Sequence, residues 1–293
     1  MNFKKTAIIA AVAGAAFAIS SAAFAGGMPK KTAWTAYGTT SSGYAQAVAI
    51  GNMMKKHYGT NMRVIPGKND ISRMAPLRDN KAGYCACGIA AYFGQEGVFI
   101  FADKKWGPQP IRLLMTNIGS FGLSLATAKD AGVKTMADMK GKRVSWVQGA
   151  PALNWNVGAQ LAFAGLTWDD VQKVKVSGFA ASFDAIINGQ SDAAFSSTVS
   201  PSPKKLAASP RGLRWVPVPH DDAAGWKRMS AAAPVYGKVK AKIGSEVDKK
   251  NPPHLSNYPY PISVSYTHLR AHETPEHRGC PGGGEKKKGG GGG

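Results

Sequence analysis

Acidic side chains are scarce in this chain. Seventeen Asp and Glu stand against 37 Lys and Arg, for a formal charge of +20. Such an excess favours anionic solutes or an acidic surface through long-range attraction. The lysines are scattered rather than packed in one block, and no basic groove interleaved with aromatics and no nucleic-acid motif is visible, so nucleic acid is not an expected partner. Catalytic signatures are missing too. The sequence has no G-x-S-x-G, no H-E-x-x-H, no phosphate-cradling P-loop and no G-x-G-x-x-G. Cysteine is nearly absent: ahead of residue 264 there are Cys85 and Cys87, which on one strand would point to the same face, a poor placement for a relaxed disulfide. They read as small buried hydrophobes, and no cofactor or metal is implied.

The two ends stand apart from the rest. Lys4 and Lys5, the apolar run Ala7 to Ile19 and the small-x-small pattern Ala23-Phe24-Ala25 have the form of a signal peptide, residues 1–25, with cleavage expected after Ala25 and a periplasmic location. At the other end, Val264 to Thr274 resembles the in-frame translation of a sequencing-library adapter, followed by a lysine run and a glycine run. Residues 264–293 are therefore expected to be a non-native, disordered tail, and the natural C-terminus to be missing. A metal-binding reading of His268, His272, His277 and Cys280 gives way to this one. With both ends set aside the chain is still strongly basic.

Between the ends, short apolar runs alternate with amphipathic ones. Trp34 to Gly38, Met62 to Pro66 and Gly83 to Ala91 read as strands, Tyr44 to His57 and Ile71 to Asp79 as helices. This βαβαβ order predicts a mainly parallel sheet with helices on its faces. A second unit repeats the style, with strands at Arg143 to Val147, Val174 to Val176 and Ala193 to Phe195, and helices at Asn156 to Ala164 and Phe183 to Asn188. Beyond Ser230 the pattern loses clear order, and Tyr258-Pro259-Tyr260-Pro261 reads as a loop or crossing. Two α/β lobes with a ligand cleft between them follow, with lobe 1 over residues 26–125, lobe 2 over 126–225 and a truncated return segment toward lobe 1 over 226–263.

Three loops carry the polar groups. Thr39-Thr40-Ser41-Ser42 and Ser196 to Ser200 follow strands with hydroxyls in a row, more than helix capping requires. Gln148 to Asn154 leads from a strand into a helix with glycine and amides, where free N–H groups and the helix dipole suit an anionic or polar ligand. In open α/β sheets, ligands bind at that edge.

The stretches Gly38-Thr39-Thr40-Ser41-Ser42-Gly43-Tyr44, Met136-Ala137-Asp138-Met139-Lys140-Gly141-Lys142-Arg143-Val144 and Asn188-Gly189-Gln190-Ser191-Asp192-Ala193-Ala194-Phe195 resemble the TAXI family of solute-binding proteins, over about Trp34 to Ile262. That resemblance implies a type II periplasmic-binding-protein fold, a small carboxylate ligand such as a dicarboxylate or glutamate, and delivery to the membrane subunits of a tripartite ATP-independent periplasmic (TRAP) transporter, by a monomer that catalyses nothing. The expected ligand-binding residues are Thr40, Ser41, Ser42, Tyr44 and Arg73 from the first lobe and Gln148, Ala150, Asn154 and Ser197 from the second. Where the family has a glycine-serine pair and an asparagine after the second strand, this chain has Asn69, Asp70 and Arg73. Arg73 is either a bidentate carboxylate contact or a surface arginine of its helix. The alternatives are an exported enzyme, whose groups would be Glu96, His220 and Asp221 gathered in the cleft, or a ligand-sensing module on the same scaffold.

Overall fold

The computed structural model describes residues 28–265. The expected signal peptide and the tail from Tyr266 onward lie outside the described residues. Among the described residues no helix is long and apolar enough to cross a membrane.

The first sheet has the order β2-β1-β3-β12-β4. Its strands are β1 (Lys31–Tyr37), β2 (Asn61–Gly67), β3 (Tyr84–Cys85), β4 (Ile111–Asn117) and β12 (Tyr260–Ser265). β1 runs parallel to both β2 and β3, and β12 enters antiparallel between β3 and β4. Helices α1 (Ser42–Tyr58), α2 (Asp70–Arg78) and α3 (Ala90–Glu96) each follow one of the parallel strands. α1 starts where Ser41 accepts the Tyr44 N–H at 3.2 Å and stops at Gly59, whose φ of 67° lets the chain turn away.

The second sheet repeats the plan. Its order is β10-β11-β5-β8-β6-β7, with β9 (Arg214–Trp215) on the side of β5. The strands are β5 (Leu123–Thr127), β6 (Arg143–Val147), β7 (Gln172–Val176), β8 (Ala193–Ser197), β10 (Gly237–Lys240) and β11 (His254–Asn257). Helices α4 (Pro151–Phe163), α5 (Phe179–Ile187), α6 (Pro201–Ala207) and α7 (Ala223–Ala232) cover it. β5 and β8 are buried along their whole length. Leu125, Leu161, Phe183, Ile186, Leu206 and Met229 form the core of this lobe, while Met74, Leu77, Phe93 and Phe101, with Trp34, Ala47 and Ile262, fill the first.

Two lobes are therefore present, with boundaries that differ from those expected. β5 belongs wholly to lobe 2, so the crossing lies before Leu123 rather than at residue 125. The stretch expected to return to lobe 1 from residue 226 instead builds α7, β10 and β11 of lobe 2, and β12 alone goes back. β12 also runs through Val264 and Ser265, paired with Arg112 and Ile111, so the first two residues assigned to a disordered tail are in a sheet. Any extended, β-branched-containing segment can complete an open ladder.

Cys85 and Cys87 are joined as a disulfide, contrary to expectation. β3 ends at Cys85, so Cys87 is off the strand and the same-face argument does not apply; the Cα atoms lie 5.1 Å apart, within bridging range.

The chain passes from lobe 1 to lobe 2 through Gly122, where a Cβ would meet Leu255 Cδ1 at 2.4 Å, Leu255 Cβ at 2.9 Å and Ala241 Cβ at 3.1 Å. A methyl group there overpacks the crossing. Gly122→Ala is expected to cost about 1–3 kcal/mol, read as a lower urea midpoint with an unchanged m-value; an unchanged midpoint would show that the crossing is loosely packed.

Candidate functional site

The parallel strands of both sheets point their C-terminal ends at the space between the lobes. β1 delivers Tyr37 and the Thr39–Ser42 loop, β2 delivers Asn69 and Asp70, β6 delivers Gly149 to Ala152, and β8 delivers Ser196 to Ser200.

At the centre is a buried ion pair. Arg73 and Asp70, 2% and 0% exposed, lie one turn apart on α2. Asp70 Oδ1 accepts Arg73 Nε at 3.1 Å and Nη2 at 2.7 Å, and it also accepts the Tyr37 hydroxyl. Arg73 Nη1 donates to the Ala86 carbonyl at 2.8 Å, and its guanidinium lies over the Tyr37 ring, 3.6 Å from the centroid. Burial works against the charge on Arg73, but its surroundings, with the Asp70 carboxylate as the charged partner, outweigh it and hold the guanidinium more firmly protonated than usual. Burial likewise pushes the Tyr37 and Tyr260 hydroxyls up from the ordinary phenol value, so both stay neutral donors.

Asp70 reaches across the lobes. Its Oδ2 accepts the Ala152 N–H of α4 at 2.8 Å, so a carboxylate of lobe 1 rests on the first turn of a lobe 2 helix. The backbones join around it. Asp70 N and Ile71 N donate to the Gly149 carbonyl at 3.0 and 3.3 Å, Phe179 N donates to the Lys68 carbonyl at 3.1 Å, and Asn69 Nδ2 donates to the Gln148 carbonyl at 3.0 Å. On the other side of the cleft, Ser202 N and Oγ both donate to the Thr40 carbonyl, at 3.2 and 3.3 Å. Tyr37 stacks on Phe179 from the opposite lobe, centroids 5.8 Å apart.

These contacts close the lobes over a cavity of about 60 Å³. That space is small, so a solute of amino-acid size requires the lobes to stand further apart than they do here. Ser41, Ser42, Gln46, Arg73 and Tyr260 line it from the first lobe, and Asn156, Ser196, Ser197 and Ser200 from the second, with Phe121, Phe179 and Phe195 as apolar wall. The Gln46 Oε1 and Thr40 Oγ1 atoms are buried without a hydrogen-bond partner. Two larger grooves do not draw on the facing hydroxyl loops: one of about 890 Å³ lies on lobe 1 around Tyr44, and one of about 610 Å³ brings Phe99 and Ile100 of lobe 1 together with Trp146, Gly149 and Trp155 of lobe 2.

Of the expected binding residues, Ser41, Ser42, Arg73 and Ser197 line the cavity. Thr40 is beside it and contributes its carbonyl to the lobe contact. Tyr44 is not in the cleft. It lies 200° around α1 from Ser42 and faces an outer groove with Lys31 and Lys55, whereas Gln46, one turn from Ser42, faces inward. Gln148 turns its side chain to solvent and offers its carbonyl to Asn69. Ala150 and Asn154 line the groove of about 610 Å³ shared by Phe99 and Ile100 of lobe 1 and Trp146 and Trp155 of lobe 2 rather than the small cavity, and α4 starts at Pro151 rather than near Asn156. Asn154 Oδ1 accepts the Val147 N–H and its Nδ2 donates to the Val147 carbonyl, both at 3.0 Å, which ties the helix back to the end of β6. Arg73 is neither a surface residue nor an open clamp. Asp70, Tyr37, Gln46, Asn156, Tyr258 and Tyr260 went unrecognised; inward spacing from Ser42 was the one signal, and it pointed to Gln46.

Glu96, His220 and Asp221 do not line the cavity. His220 Nε2 instead contacts the Leu255 carbonyl at 3.1 Å, and burial lowers its pKa. Among the described residues no group of three or more His, Cys, Asp and Glu is placed to hold a metal.

A family model described as NMT1/THI5 like matches residues 90–206, less than half of the chain. No curated protein matches the chain by sequence. Solved structures do. The alkanesulfonate-binding protein SsuA from Xanthomonas axonopodis pv. citri, bound to MOPS, superposes with a TM-score of 0.53 at 14% identity, over 83% of this chain and 68% of its own. An ancestral arginine-binding protein bound to arginine gives 0.50 at 15% identity, over 84% and 89%. The fold is thus the two-lobed α/β fold of periplasmic binding proteins, as the sequence implied.

Gly149 permits the closest approach of the lobes. Its φ is +68°, and a Cβ would lie 2.7 Å from Asn69 Nδ2. Gly149→Ala is expected to cost about 1–2 kcal/mol of stability from the left-handed backbone alone and to enlarge the radius of gyration in solution scattering by holding the lobes apart. An unchanged radius would mean that the contact is not what keeps them together.

Proposed function

We propose that this chain is an extracytoplasmic solute-binding protein, which captures a small polar organic solute between its lobes and delivers it to membrane transport subunits. The observation that carries this reading is the inter-lobe cavity, lined from both sides by hydroxyl and amide groups at the C-terminal ends of parallel strands, with the Gln46 Oε1 acceptor left buried and unpartnered. Lobes that part to admit a solute and close around it suit capture and carriage rather than turnover. Two structures of the same fold are named for binding small charged organic molecules, an alkanesulfonate-type ligand and arginine.

The TAXI-like motifs name TRAP-type membrane subunits as the receiving partner and a periplasmic location. They also name a small carboxylate, and there the surroundings of Arg73 matter more than the motifs. The enzyme alternative loses its support because Glu96, His220 and Asp221 do not line the cavity.

Thermal-shift screening of the chain against amino acids, amides, organic acids and polyols tests the reading. A true solute at 100 times its Kd stabilises the closed form by about 2.7 kcal/mol, a clear rise in Tm. Ser42→Phe, which fills the cavity from α1, should abolish that rise while leaving the solute-free melt within a few degrees. Stabilisation that persists in Ser42→Phe would place binding outside the cleft, and no stabilisation by any solute in such a panel would sink the reading.

A further inference from the structure

We propose, resting on the solute-binding reading, that Asp70 is the resident anion of the cleft and selects a solute that carries no net negative charge. Two features here would attract a carboxylate: the Arg73 guanidinium and the N-terminus of α4. Both already hold Asp70. One carboxylate oxygen takes Nε and Nη2 of Arg73, at 3.1 and 2.7 Å, together with the Tyr37 hydroxyl, and the other takes the Ala152 N–H at 2.8 Å. Asp70 is thus placed as a ligand carboxylate would be, bridging a cation of one lobe and a helix terminus of the other. It is held there by the first turn of α2 and by its own N–H on the Gly149 carbonyl.

Arg73 is the one charged side chain among the residues lining the cavity, and its charge is balanced by a carboxylate that is itself fully buried. A dicarboxylate entering this space would bring two charges with no counter-charge to meet them, and an uncompensated buried charge is strongly disfavoured. The uncharged groups do not replace the missing counter-charge: the Gln46 amide and the Thr40 hydroxyl, both with a buried oxygen that has no partner, can each donate or accept, and neither carries charge.

The test removes the resident anion and offers small ones. Asp70→Ala should melt below wild type and recover with formate or acetate in a saturable manner, while chloride at the same ionic strength gives no recovery. Wild type should show no such gain. The double variant Asp70→Ala/Arg73→Gln, which has no cation to neutralise, should lose the formate response. Asp70→Ser, whose short side chain also vacates the carboxylate site, serves if Asp70→Ala does not fold. A parallel comparison sets succinate against succinamide and glutamate against glutamine. Wild type should prefer the member with less negative charge by at least about tenfold in Kd, and Asp70→Asn should reverse the order. Formate that stabilises wild type as well as the variant, or a dicarboxylate that binds wild type more tightly than its diamide, would overturn the proposal. Should no solute bind, the solute-binding reading fails, yet the formate experiment still decides whether Asp70 occupies an anion site.

Discussion

The closed form of this protein depends on one carboxylate. Taking Asp70 and Arg73 out of water is expensive, and their mutual attraction offsets the cost only when the remaining donors and acceptors are satisfied. Here they are: Asp70 accepts four hydrogen bonds, and Arg73 adds the Ala86 carbonyl and the Tyr37 ring. The four bonds are divided between lobes. Oδ1 is satisfied within lobe 1, whereas Oδ2 finds its donor on lobe 2, so full desolvation of the carboxylate is matched by full bonding only when the lobes are together. On opening, Oδ2 exchanges an amide for water. A hydrogen bond to a charged group is worth about 1.5–3 kcal/mol net, so this one bond is a modest part of what holds the lobes together.

The rest of the interface is consistent with a light touch. It is made of backbone groups meeting backbone groups at Gly149 and Lys68, where side chains would block the approach: a Cβ at Gly178 would come within 2.9 Å of the Lys68 carbonyl oxygen. The crossings between lobes are tied to each other by Asn257, whose Nδ2 donates to the Gly119 and Phe121 carbonyls at 3.1 and 2.9 Å. One amide therefore pins the outgoing strand to the returning one, and the two crossings can flex as a pair. Lobe 1 is completed only by β12, which arrives after the whole of lobe 2 has been built. The order in sequence is thus nested, with lobe 2 inserted into lobe 1.

Much of this plan can be read from local sequence, because strand-loop-helix units declare themselves locally. Arg143 to Val147 is a strand with the expected bounds, and Ser41 caps α1 from the hydroxyl loop where a cap was due. What escapes is phase and distance. Whether Tyr44 or Gln46 faces the cleft depends on where the first turn of α1 begins, and a shift of two residues reverses the face. Pro151, read as loop, is at home in the first turn of a helix, so Asn154 became part of α4 and turned back to Val147. Asp70 falls just ahead of the helix expected from Ile71, and its second role lies 82 residues away on Ala152. Tyr258 and Tyr260 were invisible as lining residues because β11 and β12 pair with strands more than a hundred residues earlier.

The charge of the chain shows how composition and site can diverge. A formal +20 suggested an anionic solute, yet the cavity is lined by a single cation that is already neutralised. The excess lies elsewhere, for instance on Lys31, Lys55, Arg63 and Lys81 around the outer groove of lobe 1. Exposed charges of this kind set the long-range field that a molecule meets on approach, screened beyond about 10 Å in ordinary salt. Selection happens at contact, where desolvation dominates and each charge must find its own partner. A basic surface and a charge-balanced cleft are therefore compatible, since the first acts at long range and the second only at contact.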